Sequence, residues 1–145
     1  MLAEAPPPNC EVIAADRPGT ALVDLLEGAN AAILIDAVRS GAPAGTIHEF
    51  TFDELDSGAA HLFSSHDLGV AAAIQLAQKL GRAPSVGRVI GIEIAPGSTA
   101  RLSGLSPRTR QAVRRAVERV RSSVAEFEDQ ERERAQPNRG SEPIA

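Results

Sequence analysis

The eight residues Ala31 to Val38 (AAILIDAV) hold seven apolar side chains without alternation. Such a run predicts a strand buried on both faces, inside a sheet covered by helices. Other segments show different periods. Glu11 to Ala15 (EVIAA) is short and apolar and closes on Asp16-Arg17-Pro18-Gly19, which predicts a strand running into a turn. Leu22, Leu25 and Leu26 recur at helical spacing, so a helix is expected from an N-cap at Thr20 to about Glu27, with Gly28 ending it. Thr46 to Phe52 (TIHEFTF) sets Ile47, Glu49 and Thr51 against His48, Phe50 and Phe52, the signature of a strand near a sheet edge. Leu68, Ala71, Ala72, Ile74, Ala77 and Leu80 predict a second helix ending at Gly81, with Ser64-x-x-Asp67 as a capping box. Arg88 to Ile94 (RVIGIEI) reads as a further strand. Ser106-Pro107 reads as the cap of a last helix, buried through Val113, Val117, Val120 and Val124. From Glu128 the chain is polar and charged, and a disordered tail over residues 128–145 is expected. The order β-α-β-β-α-β-α predicts an α/β fold, a three-layer sandwich around a mostly parallel twisted sheet.

Composition narrows the class. The 145 residues are 43% hydrophobic and 23% charged, as in a globular domain, with four Phe and no Trp or Tyr, so aliphatic side chains must build the core. No apolar run approaches the ~20 residues that span a bilayer, so membrane insertion is not expected. A single Cys10 excludes an internal disulfide and suits a reducing, cytoplasmic setting. Residues 1–100 carry twelve acids and five bases, and residues 101–145 seven acids and ten bases, all Arg. The basic C-terminal helix has acids interleaved and no aromatic residues for stacking, which argues against nucleic acid as a partner.

Two residues stand out chemically. Asp36 interrupts the most apolar strand near its carboxyl end, where open α/β sheets collect ligands. A carboxylate there requires a hydrogen-bond donor, a cation or a metal; a turn-forming Asp is the competing reading. His66, in Ser64-Ser65-His66-Asp67, falls at an expected helix start, where the positive end of the dipole favours the neutral, metal-binding imidazole. A surface histidine is the competing reading there. His48 and His61 lack metal-ligand spacing to each other and read as surface residues. Ser65, His66 and Asp67 are consecutive and do not form a triad, which is a spatial constellation. No GxGxxG, GxSxG, HExxH or paired CxxC pattern is present.

From Asp16 to Val120 the sequence resembles the hydrogenase maturation proteases. The resemblance is carried in order by Pro18-Gly19-Thr20 with Asp24-Leu25-Leu26, by LIDAVRSGAPAGTIH from Leu34, SSHDLG from Ser64, GRAP from Gly81, GIEI from Gly91 and GLSP from Gly104. It implies an endopeptidase that removes a C-terminal extension from the large subunit of a [NiFe] hydrogenase after nickel insertion, the nickel being carried by that precursor. It implies further that Asp36 and His66 are nickel ligands; which residues would carry out the cleavage is not indicated. Nothing before Glu11 resembles the family's glycine-rich opening strand, loop and helix. One ligand and one interior strand, between Glu11–Ala15 and Ala31–Val38, are therefore expected to be missing, with residues 1–10 as a leader and 11–127 as the domain. A non-catalytic homologue that binds a hydrogenase subunit or a metal is the alternative, and Asp16 is the first acid to consider as a replacement ligand.

Overall fold

The computed structural model describes residues 1–57, 69–97 and 104–136. Three strands form one sheet: β1 (Ala31–Val38), β2 (Ile47–Thr51) and β3 (Val86–Glu93). Their order is β1-β3-β2, with β1 parallel and β2 antiparallel to the central β3. Three helices pack around them: α1 (Ala21–Leu26), α2 (Val70–Lys79) and α3 (Pro107–Ala135). A 3₁₀ turn at Asp53–Ser57 follows β2.

The alternation of β3 divides the interior in two. Val89 joins Leu22, Val23 and Leu26 of α1 and Ala73, Ile74 and Ala77 of α2 in one cluster. Ile90 and Ile92 join Ala112, Ala116 and Val120 of α3 in the other. Helices thus lie against both faces of the sheet. Phe50 and Phe52 fall with the first cluster and Ile47 with the second, as the two unlike faces of β2 predict. Gly28 and Gly81 end α1 and α2 in left-handed conformations, with φ of +78° and +67°, which glycine adopts without the Cβ penalty. Ser106 caps α3 by accepting from Thr109 N–H at 3.1 Å.

Several expectations need correction. Glu11–Ala15 is not a strand and is exposed along its length; an apolar run becomes a strand only beside a partner that takes its hydrogen bonds. Among the described residues β1 is consequently an edge strand. Only Val38 of its residues is buried, and Ile35 is 42% exposed. Thr20 precedes α1 in a helical conformation and makes no side-chain cap. The cap of α2 is Gly69, so that helix starts after the expected capping box; Ser64–Asp67, His61 and His66 lie outside the described residues. α3 continues to Ala135, eight residues beyond Phe127, with Arg132 and Arg134 in the last turn where they complement the helix dipole. Its buried stripe is Ala112, Ala116, Val120, Ser123 and Phe127, while Val113 and Val124 are partly buried beside it. The small residues let the helix approach the sheet closely, and the valines close the flank. The leader is packed as well: Leu2 joins the α3 cluster, and Arg121 donates to the Ala5 carbonyl at 2.7 Å.

Candidate functional site

The free edge of β1 opens onto a groove of about 1920 Å³. One wall is β1 from Ala31 to Ala37 and the other is the chain from Pro7 to Gly19. Leu22, Leu26 and Ala73 from α1 and α2 and Val120, Val124 and Phe127 from α3 complete the lining. Asp36 and Arg39 lie on this groove together with Asp16, Gly69 and Val70.

Asp36 is the sixth residue of β1, two short of the strand end where the sequence places it. One carboxylate oxygen accepts from Ala37 N–H at 2.8 Å. Burial pushes its pKa above the ordinary aspartate range, and the Ala37 hydrogen bond opposes that push. The resulting group is a partly buried carboxylate with one oxygen oriented by backbone and capacity left for a cation. In register, Asp36 stands opposite Gly91, and Gly91 opposite His48 on the other side. Among the described residues no three His, Cys, Asp or Glu side chains gather into a metal cluster. His66 lies outside those residues.

A second cluster on the same sheet face escapes the sequence reading. Glu93, the last residue of β3, is only 2% exposed. Its Oε1 accepts from Ser40 N–H at 2.9 Å and Gly41 N–H at 3.2 Å. Its Oε2 accepts from the Ser40 hydroxyl at 2.7 Å and lies 3.0 Å from His48 Nε2, which donates in the tautomer carrying its proton there. Burial pushes Glu93 upward, but the Ser40 hydroxyl, His48 and the two loop N–H groups hold its pKa below the usual glutamate value. His48 is therefore not the surface residue its spacing suggests; its side chain is 17% exposed and engaged with Glu93. The signal was present in the sequence as a lone acid inside the apolar RVIGIEI run, the same signal that singles out Asp36.

The fold is shared with solved structures. The hydrogenase maturating endopeptidase HybD from E. coli superposes with a TM-score of 0.69 at 23% identity, over 83% of this chain and 74% of that one. A solution structure of an endopeptidase from Escherichia coli gives 0.70 at the same identity and coverage. The hydrogenase 2 maturation peptidase from a Thaumarchaeota archaeon gives 0.52 at 23% identity, over 84% and 82%. No curated protein sequence matches the chain. The family model described as hydrogenase maturation protease matches residues 2–123, most of the length, and by that match the chain belongs to the hydrogenase maturation protease family.

Proposed function

We propose that this protease removes a C-terminal extension from a nickel-loaded [NiFe] hydrogenase large-subunit precursor, recognising the nickel through Asp36 and His66. The observation that carries the reading is Asp36 itself, a half-buried carboxylate on the wall of a groove large enough for a polypeptide segment.

Nickel is here part of the substrate. A carboxylate and an imidazole offer the borderline donors that nickel accepts, and two donors complete the coordination of an ion that arrives with ligands of its own. The ion would then measure the readiness of the precursor, because an empty precursor presents nothing for Asp36 and His66 to bind. A bound metal can polarise a scissile carbonyl; the protein's contribution is to hold the precursor's end extended along β1. Bases, nucleophiles and the cleavage position are left unassigned. The protease would meet its precursor in a reducing cytoplasm, which a chain with the single cysteine Cys10 suits. Among the described residues no helix is long and apolar enough to cross a membrane.

The test is processing of nickel-loaded precursor by Asp36→Asn and His66→Ala, followed as the loss of the extension on a denaturing gel. Each variant should lose at least the roughly 10–100-fold that weaker perturbations around a metal cost, with unchanged circular dichroism. Normal processing by both variants would return Asp36 to a turn former and His66 to the surface.

A further inference from the structure

We infer that Glu93 is a positioning residue of the protease: it holds the loop leaving β1 at residues 40–42, and so sets Asp36 and Arg39 together on the wall of the groove. The inference rests on the reading of that groove as the precursor site. A carboxylate this far from water needs its lone pairs filled, and the chain fills them from one loop some fifty residues earlier. Ser40 gives its N–H and its hydroxyl, and Gly41 gives its N–H. The Ser40 hydroxyl in turn accepts from Ala42 N–H at 3.2 Å, so one side chain orders three successive residues.

The sheet does not need this side chain for its own cohesion. Backbone bonds already join β3 to its neighbours at the same level, from Ile94 N–H to Val38 at 3.1 Å and from Gly45 N–H to the Glu93 carbonyl at 2.9 Å. What the carboxylate adds is the conformation of the loop, in which Gly41 adopts a φ of +89°. Arg39, immediately before the anchored residues, and Asp36, three residues further back, both line the groove. His48 reaches the same carboxylate oxygen from β2 and lies 3.3 Å from the Ser40 hydroxyl, but it meets neither loop N–H that Glu93 holds, so it serves to separate the two roles. If Glu93 merely tied β2 to β3, removing the imidazole would be as damaging as removing the carboxylate.

The experiment compares Glu93→Gln, His48→Gln and Ser40→Ala in the full chain by amide hydrogen exchange and by processing of nickel-loaded precursor. A glutamine at 93 keeps one accepting oxygen and turns an NH₂ group toward the loop donors. It should lower exchange protection at Ser40 and Gly41 by about tenfold or more while β3 amides keep theirs, since local opening is read amide by amide. Processing at low precursor concentration should fall about 10–100-fold, chiefly through a raised precursor KM, because the group Glu93 positions is a binding group. Ser40→Ala, which keeps both N–H groups, covers the case in which the glutamine variant fails to fold, and should give a smaller loss of the same kind. His48→Gln should release Ser40 and Gly41 less than Glu93→Gln does. Unchanged protection of both amides in Glu93→Gln, equal effects of the His48 and Glu93 variants, or a released loop with full processing would each overturn the inference. Failure of the wild-type chain to process any precursor would instead count against the function proposed for the groove, and the exchange measurements would still decide the role of Glu93.

Discussion

At the scale of single residues, two acids in apolar strands show how environment divides similar sequence signals. Asp36 accepts one backbone hydrogen bond and burial raises its pKa, whereas Glu93 receives donors from Ser40, Gly41 and His48 and its pKa is lowered. The second case has a consequence for stability against pH. A carboxylate whose folded pKa is depressed stabilises the protein above its unfolded value, about 4.3 for glutamate, and loses that contribution as pH falls through the folded value. The stability gap between wild type and Glu93→Gln should therefore be full at pH 7, shrink below about pH 4.3 and vanish once the folded carboxyl is protonated. Urea titrations of both proteins at several pH values check this; a gap independent of pH would show that packing, and not the charge, is what the variant removes. Asp36 is legible in the sequence because a lone acid in AAILIDAV violates the surrounding pattern. Glu93 violates its pattern equally, but its meaning depends on Ser40 and Gly41, whose approach no local spacing announces.

At the scale of elements, the bounds of β1, though not its expected burial, and the start of α3 match their sequence signals because each is locally determined. A continuous apolar run encodes β1, and Ser106-Pro107 encodes the cap of α3. Glu11–Ala15 departs from its sequence signal because strand formation is a property of a pair. The last turns of α3 depart from theirs because polarity alone does not make a tail disordered: their charged positions face solvent while Phe127 still packs, with the Arg88 guanidinium 5.3 Å from its ring centre. Contacts between elements also give glycine a meaning its sequence context lacks. At Gly87 on β3, an added Cβ would run into the Phe52 ring, and the Phe52 backbone N–H donates to the Gly87 carbonyl at 3.0 Å. Phe52 is 3% exposed and packed in the α1–α2 cluster, so the ring has little room to retreat. Gly87→Ala should destabilise the protein by roughly 1–3 kcal/mol through overpacking, seen as a lowered urea midpoint. Gly87→Ala with Phe52→Leu should recover part of that loss, and an unaltered midpoint in the single variant would mean the ring moves freely.

At the scale of the whole molecule, the groove and the free edge of β1 dominate behaviour in solution. Val12, Ile13, Leu25 and Ile35 are exposed around it, at 37%, 51%, 41% and 42%. An apolar strand with an unpaired edge is a template for another strand. The 145-residue chain should associate as its concentration rises and should bind an apolar dye in the native state. Replacing Ile35 by Lys, which places a charge on that edge without touching Asp36, should reduce both effects. Sedimentation of the two proteins across a hundredfold concentration range would decide, and a wild type that stays monomeric throughout would show the edge to be protected.

The strand order has one more consequence, and it concerns time rather than structure. β1 and β2 are neighbours in sequence but do not touch, because β3 lies between them. Neither can therefore pair within this sheet until β3 has been made, and β3 begins 48 residues after the end of β1. At a synthesis rate of about 5–20 residues per second, β1 waits several seconds with its apolar side chains uncovered. For a nascent chain that interval is long compared with collapse, which takes microseconds. The sheet thus closes from its middle outward, and the strand that ends in the buried Glu93 is the one that completes it.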